Sequence, residues 1–249
     1  MSAPDWLTRR PIAHRGLHDR SRGVIENSLS AARAAIAGDF AIECDVQLTA
    51  DGEPVVFHDF DLGRLTSATG AVRTRAAAEL AELRLVGTSD TIPTLIRFLD
   101  AIGGMVPLVV EIKSDFSGGE RLARRTAEIV AGRSERIALK SFDPAIVRLV
   151  RELAPSVPRG IVGQSSYGAE EAKRIGPARL PVMTELLHWA DTRPDFVSWR
   201  QTDLPAAGPN LARLLAGAPV MTWTVRSEAD RSRVGPYTDQ IVFEGFVPA

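Results

Sequence analysis

The chain has 249 residues, of which 45% are hydrophobic, and its 30 basic and 31 acidic side chains leave a net charge of −1. This length and composition fit one globular domain with a sizeable core, and the interspersed charges argue against a nucleic-acid partner. Cys44 is the single cysteine, which excludes an intrachain disulfide. Because no apolar run approaches the ~20 residues of a membrane helix and residues 1–11 lack the apolar stretch of a secretory signal, we expect a cytoplasmic protein without stable membrane insertion.

Short β-rich apolar segments alternate with segments of helical spacing, a pattern typical of βα units around a parallel sheet. Strands are predicted at residues 12–14, 41–46, 108–112, 137–140, 159–163, 196–198, 220–225 and 240–243. Helices are predicted at residues 28–37, 94–102, 119–131, 144–153, 169–175, 209–215 and 227–234. The region 177–199 mixes helical spacing with prolines and stays ambiguous. Eight strands favour an α/β fold of the (β/α)8 TIM-barrel type, with residues 1–249 as a single domain.

The segment 59–92 does not follow this βα repeat. It comes after residues 54–57, which are predicted to fold back as a hairpin beside the second strand, across the turn Ala50-Asp51-Gly52. The segment is long for a connection between the second and third barrel strands. We interpret it as a small insertion, which either caps the substrate site or has no part in it.

Acidic side chains share one face of two predicted strands. Glu43 and Asp45 are two residues apart on the second strand and therefore point the same way, and Glu111 is near the end of the third. Strand ends meet at the mouth of a barrel, so we expect these carboxylates to converge there. Three carboxylates form a hard oxygen site for one divalent ion, Mg²⁺, Ca²⁺ or Mn²⁺. Either strand alone could instead carry a structural salt bridge.

Basic side chains follow the same strands. Arg15 comes directly after the first strand, and Lys113 lies two residues after Glu111, on the same face. A guanidinium binds anionic oxygens in pairs, and an ammonium adds a second positive charge. We therefore predict that Arg15 and Lys113 contact a phosphate.

Two of the four histidines also fall at strand ends near the carboxylates. His14 closes the first strand, and His58 ends the hairpin strand that returns beside the second. Histidines in such surroundings are candidates for a general acid and a general base. His18 and His188 lack these neighbours and are predicted to be loop or surface residues.

In this order and spacing, the motifs resemble the signature of the glycerophosphodiester phosphodiesterase family: His14-Arg15-Gly16, Glu26-Asn27-Ser28, Glu43-x-Asp45, Thr49-x-Asp51-Gly52, His58-Asp59 and Glu111-x-Lys113. Similarity continues through Ser141-Phe142-Asp143 and Trp223-Thr224-Val225. The resemblance implies that Glu43, Asp45 and Glu111 bind the metal ion, that His14 and His58 act as general acid and base, and that Arg15 and Lys113 contact phosphate. It also implies that Glu26 supports the metal site or binds substrate hydroxyls.

Two segments depart from the family pattern. Ile25 precedes the active-site glutamate where the family usually has proline. At the last strand many relatives have Thr-Asp followed by proline, whereas Val242-Phe243 here runs into Glu244-Gly245-Phe246. We expect Phe243, Phe246 and Trp223 either to form an apolar wall for the leaving group or simply to pack. The same alternatives hold for Trp199 and Tyr167.

The function implied by the resemblance is metal-dependent hydrolysis of a small-molecule glycerophosphodiester to sn-glycerol 3-phosphate and an alcohol. A lysophospholipase D-type activity on lysophospholipids is an alternative that the aromatic C-terminal segment keeps open. A non-catalytic barrel that binds phosphorylated ligands is another. A glycoside hydrolase would also use paired carboxylates, but it gives no role to Arg15, Lys113 and two histidines.

Overall fold

Eight parallel strands close into a barrel in the computed structural model, which describes residues 3–248. Within these residues the strands are β1 (Ile12–Ala13), β2 (Ala41–Leu48), β3 (Pro54–Val56), β4 (Leu108–Ile112), β5 (Ile137–Ser141), β6 (Arg159–Gly163), β7 (Phe196–Arg200), β8 (Val220–Val225) and β9 (Gln240–Phe243). β1 pairs in parallel with both β2 and β9, and the circle continues from β2 through β4, β5, β6, β7 and β8 to β9. The predicted TIM barrel is confirmed.

Helices surround the barrel, and each of the seven predicted helices is present. The described helices are α1 (Leu29–Ala37), α2 (Ala77–Glu82), α3 (Leu95–Ile102), α4 (Arg121–Ala131), α5 (Pro144–Leu153), α6 (Ala169–Ile175), α7 (Leu180–Thr184), α8 (Trp189–Thr192), α9 (Ala207–Ala216) and α10 (Glu228–Val234). Ser28, Thr94 and Ser227 are N-caps whose hydroxyls accept a backbone N–H of the first turn. No helix within residues 3–248 is long and apolar enough to cross a membrane.

The ambiguous region 177–199 forms α7 and α8 before β7. Pro181 lies in the first turn of α7, where a backbone N–H would have no partner within the helix. His188 is buried directly before α8, and its Nδ1 lies 2.9 Å from Oγ1 of Thr192. Burial lowers the pKa of His188 to about 4. Of the two predicted alternatives, a loop position is therefore correct for His188, which lies in the turn before α8, and a surface position is wrong.

The residues between the β2–β3 hairpin and α3 form the expected insertion. β3 pairs antiparallel with β2, outside the barrel. The insertion contains α2, and together with the hairpin it buries an apolar cluster made of Ile25, Val55, Phe57, Leu62, Leu65, Val72, Ala77, Leu80, Leu85 and Ile92. Its Phe60 ring lies 5.4 Å from the guanidinium of Arg174 on α6. The insertion thus reaches the opposite side of the barrel mouth.

The barrel interior is apolar at the amino-terminal end and polar at the carboxyl end. The apolar layer contains Ile12, Ala41, Val109, Ala138, Phe196, Met221 and Val242. Side chains two positions further along a strand point the same way. In six strands these positions hold His14, Glu43, Glu111, Lys140, Trp223 and Glu244. Strand alternation therefore places polar groups directly above the apolar layer, at the carboxyl end of the barrel, where such barrels carry their active sites.

Candidate active site

Three buried carboxylates lie side by side at the carboxyl ends of β2 and β4. Asp45 is the register partner of Glu111 on the neighbouring strand, and Glu43 precedes Asp45 by two residues. One carboxylate oxygen from each of the three lies within 4.8 Å of the others. All three side chains are buried. The structure thus brings together the residues predicted as metal ligands.

Lys113 and Arg15 contact these carboxylates from the side of the barrel mouth. Nζ of Lys113 lies 2.7 Å from Oδ1 of Asp45 and 2.6 Å from Oε1 of Glu111. Nε of Arg15 lies 3.4 Å from Oδ2 of Asp45. Burial alone would raise the pKa of Asp45, but the charges of Lys113, His58 and Arg15 hold it well below its ordinary range. Asp45 is therefore ionised at neutral pH.

Lys140 contacts the same cluster from β5 and was not singled out by the sequence reasoning. Its Nζ lies 3.0 Å from Oε1 of Glu43 and 3.3 Å from Oε2 of Glu111, its register partner. Burial lowers the pKa of Lys140, but Glu43 and Glu111 raise it more, so the ammonium keeps its proton. The signal in the sequence was a lysine two residues after Ala138, inside an otherwise uncharged strand.

The donor atoms of the acidic cluster fit a hard divalent cation, because all three are carboxylate oxygens. Neighbouring groups hold the carboxylates in place. Asn27 Nδ2 donates to Oδ2 of Asp45 at 3.0 Å, and the Asp45 N–H donates to Oδ1 of Asn27 at 3.2 Å. The Arg15 backbone N–H donates to Oε2 of Glu43 at 3.1 Å. A bound cation would share these oxygens with the two ammonium groups.

A carboxylate holds each predicted catalytic histidine through Nδ1. Nδ1 of His14 lies 2.5 Å from Oε2 of Glu244, and Nδ1 of His58 lies 2.7 Å from Oδ1 of Asp59. Burial alone would raise the pKa of the Glu244 carboxyl, but hydrogen bonds from His14 and His18 lower it by more. The net pKa therefore lies below the ordinary value, and the carboxylate is ionised. An ionised carboxylate only accepts hydrogen bonds, so Nδ1 of each ring carries the proton. Nε2 is then the ring nitrogen left for a substrate.

Glu244 is the second site residue that the sequence reasoning missed. The sequence shows it only as a departure from the family pattern after the last strand, yet it follows Val242 by two residues and shares its inward direction. Its carboxylate also pairs with Arg226 and lies 3.7 Å from Nε2 of His18. His18 lies in the loop after β1, as expected, but beside the candidate site.

Glu26 joins two arginines at the edge of the site. Its Oε1 accepts hydrogen bonds from Arg15 at 2.6 Å and from Arg64 at 2.8 Å. Burial raises the pKa of Glu26, but hydrogen bonds and charges from Arg64 and Arg15 lower it to about 2. Arg64 belongs to the insertion and also pairs with Asp59. The sequence reasoning missed Arg64 because no periodicity in the insertion indicates which of its arginines faces the barrel.

A cavity of about 940 Å³ opens at the barrel mouth next to these groups. His58, Glu111 and Lys113 line one part of it. Aromatic rings line another, namely Phe116, Phe142, Tyr167 and Trp223. The Phe142 ring packs edge-to-face against Trp223 at 5.6 Å and Tyr167 at 6.5 Å. Trp223 and Tyr167 thus occupy the wall that the sequence analysis considered for them.

Two of the other aromatic residues considered for this wall lie elsewhere. Phe243 is fully buried and packs edge-to-face against Phe40 and Phe246. It follows the inward-facing Val242 by one residue and therefore points out of the barrel, toward the helices. Trp199 is also buried and packs over Gly163. Of the two alternatives considered for Phe243 and Trp199, plain packing is therefore the one that the structure supports.

Fold and site together define a TIM-barrel enzyme in which a cluster of carboxylates, whose oxygens fit a hard divalent cation, lies beside two histidines. The model of the glycerophosphoryl diester phosphodiesterase family matches residues 14–242. The chain therefore belongs to this family, as the sequence motifs predict.

Individual relatives agree with this assignment. A glycerophosphodiester phosphodiesterase of Caldanaerobacter subterraneus is 35% identical over 167 residues, which cover 61% of this chain and 66% of that protein, just under two thirds of its length. A glycerophosphodiester phosphodiesterase of Bacillus subtilis is 25% identical, over 90% of this chain and 78% of that one. A phosphodiesterase of Oleispira antarctica, solved in complex with the product sn-glycerol-3-phosphate, shares the fold. Its TM-score is 0.73 at 22% identity, with 94% of this chain and 91% of that chain covered.

Proposed function

We propose that this protein is a metal-dependent phosphodiesterase that hydrolyses glycerophosphodiesters to sn-glycerol 3-phosphate and an alcohol. The observation that carries the proposal is the meeting of three buried carboxylates, two cations and two carboxylate-held histidines at one barrel mouth. Family membership supports the reaction, and the product bound by the Oleispira relative supports the choice of glycerol phosphate. Cytoplasmic location, the absence of a nucleic-acid partner and the single domain stay predictions from the sequence.

In the proposed reaction the cationic side chains bind the phosphate. Glu43, Asp45 and Glu111 would hold a Mg²⁺, Ca²⁺ or Mn²⁺ ion, which supplies positive charge for a phosphate oxygen. Arg15 and Lys113 bind the remaining anionic oxygens and stabilise the charge that builds as a fifth ligand approaches phosphorus. Glu26 keeps the Arg15 guanidinium in position through its 2.6 Å hydrogen bond.

His14 and His58 exchange protons with the substrate through Nε2. One ring takes a proton from the nucleophile. If the nucleophile is water, sn-glycerol 3-phosphate forms directly; if it is the glycerol hydroxyl next to the phosphate, a cyclic phosphodiester forms first and water then opens it to sn-glycerol 3-phosphate. The other ring gives a proton to the departing alcohol oxygen. Glu244 and Asp59 stabilise each ring when it is protonated, because both carboxylates accept from Nδ1.

The aromatic wall supports a second candidate substrate, a lysophospholipid. The rings of Phe142, Tyr167 and Trp223 offer apolar surface beside the phosphate site, and this surface suits an acyl chain as well as a headgroup. Both reactions release the alcohol and leave the phosphate on the glycerol, so the two substrates differ in whether that phosphate product carries an acyl chain and in whether the substrate forms micelles.

A turnover comparison tests both candidates. Glycerophosphocholine, glycerophosphoethanolamine and lysophosphatidylcholine are each incubated with the metal-stripped protein, with and without each of the three metal ions. Metal-dependent release of sn-glycerol 3-phosphate, detected with a coupled glycerol 3-phosphate dehydrogenase, is the expected result. Faster release of choline from lysophosphatidylcholine than from glycerophosphocholine would favour the second candidate. Saturable binding of sn-glycerol 3-phosphate without any turnover would instead indicate a non-catalytic barrel.

A further inference from the structure

The 30 basic side chains of this chain include only three lysines, at positions 113, 140 and 173. Two of the three belong to the buried carboxylate cluster, whereas Lys173 is exposed on α6. An ammonium is compact and donates in three directions, so a single Nζ can contact two carboxylates, as both buried lysines do.

The two buried lysines approach the cluster from different sides. Lys113 lines the substrate cavity, next to Asp45 and Glu111. Lys140 is 4% exposed, does not line that cavity, and contacts Glu43 and Glu111 from β5. A phosphate in the cavity can reach Lys113, whereas Lys140 acts on the substrate only through the carboxylates.

We propose that the positive charge of Lys140 shares Glu43 and Glu111 with the divalent ion. When the ion is absent, Lys140 holds these two carboxylates in place. When the ion is present, the charge of Lys140 weakens the binding of the ion. The inference rests on the proposed function in one respect, namely that Glu43, Asp45 and Glu111 bind the ion. Lys140 is then a positioning residue that sets how strongly the site binds its metal.

The charge balance of the cluster supports this role. The three carboxylates contact Lys113, Lys140 and Arg15, and Arg15 also pairs with Glu26, so these cations offset most of the negative charge of the cluster before any metal binds. Removing the Lys140 charge leaves buried negative charge uncompensated, which destabilises the metal-free protein. The same uncompensated charge attracts a cation more strongly. One unit charge at contact distance in a buried site changes an ion's affinity by about one to two orders of magnitude.

The test measures metal binding and thermal stability in Lys140→Met and Lys140→Gln, with Lys173→Gln as the matched control on an exposed lysine. Calorimetric titration with Mg²⁺, Ca²⁺ and Mn²⁺ is expected to show a Kd about 10- to 100-fold lower in both Lys140 variants and unchanged in the control. The Tm in EDTA is expected to fall in the Lys140 variants, and the rise in Tm on adding metal to exceed that of the wild type.

The wild-type protein supplies a measurement that does not depend on the folding of a variant. In protein labelled with ¹⁵N-lysine, the three side-chain ammonium signals are assigned, and Mg²⁺ or Ca²⁺ is added. The signals of Lys113 and Lys140 are expected to shift, while that of Lys173 stays in place.

Failure of the inference and failure of the proposed metal site give different results. Equal Kd values in the wild type and both Lys140 variants, with an unmoved Lys140 signal, would overturn the role of Lys140 and leave the metal site intact. Weaker metal binding in both Lys140 variants than in the wild type would also overturn the proposed role of Lys140. No metal binding by any of these proteins would contradict the metal site itself, and with it the inference.

Discussion

Oε2 of Glu244 lies 2.5 Å from Nδ1 of His14, although the two residues are 230 positions apart in the chain. Each follows its strand directly, His14 after β1 and Glu244 after β9, and these two strands pair to close the barrel. The orientation of a candidate catalytic ring therefore depends on barrel closure. Without that closure His14 would have no carboxylate to select its tautomer.

Glu244→Gln is expected to lower kcat about tenfold or more while KM stays within about twofold, because the substitution removes the charge that stabilises protonated His14. Glu244→Asp, which keeps a carboxylate, should retain more activity than Glu244→Gln. The measurement is a set of pH profiles of kcat and kcat/KM for both variants. The exposed Glu82→Gln is the control, and an unchanged kcat in Glu244→Gln would remove Glu244 from the mechanism.

His14→Ala and His58→Ala are each expected to lower kcat by about two to four orders of magnitude, the usual contribution of a general acid or base. The measurement is steady-state kinetics with glycerophosphocholine, accompanied by a melting curve that checks the fold. Near wild-type turnover in both variants would refute the assignment of the two histidines.

Removal of divalent metal is expected to abolish turnover and to lower thermal stability. A ligand at about 100 times its Kd stabilises the folded state by about 2.7 kcal/mol, and this gain should be present in the wild type. It should be absent in Asp45→Asn, which removes one of the three predicted ligands. The control is Asp61→Asn, a change at an exposed carboxylate of the cavity rim. Equal metal-dependent stabilisation in the wild type and Asp45→Asn would contradict the site.

The ion pairs of Glu26 are expected to make stability depend on acidity. The pKa of Glu26 falls from 4.5 to about 2 on folding. Because the folded-state pKa is the lower one, its contribution is complete above pH 4.5 and is lost as the pH falls through about 2. The wild type should therefore exceed Glu26→Gln in the free energy of unfolding near pH 6. This difference should shrink between pH 4.5 and about 2 in urea titrations. A difference that stays constant with pH would show that the pKa of Glu26 is not shifted on folding.

Gly160→Ala is expected to destabilise the protein by about 1–3 kcal/mol through overpacking. A Cβ atom at Gly160 would meet the Phe196 ring at 2.2 Å, inside the apolar layer of the barrel. Gly132→Ala is the matched control, because a Cβ there meets no atom within 4 Å and the backbone has no positive φ. Chemical denaturation of both variants measures the difference, and equal stability would show that the barrel interior can adjust.

The sequence was sufficient for the barrel strands, for seven of the described helices and for residues grouped into local motifs, but not for α2, α7 and α8. Apolar strands that alternate with helical segments predict the barrel, since burial repeats with the period of each element. Glu43 and Asp45 were found because strand alternation places residues two apart on one face. His14, His58, Glu111 and Lys113 were found in the same way, because each lies at or near the end of a recognisable strand.

Only the tertiary structure decided which distant groups meet at the mouth. Glu244 reaches His14 through the β1–β9 closure, Arg64 reaches Glu26 from the insertion, and Lys140 reaches Glu43 across an intervening strand. No local spacing encodes these pairs, because each depends on the register of strands or on the packing of a loop. Local periodicity therefore determined the elements and the direction of their side chains, while closure of the sheet determined which charges face one another.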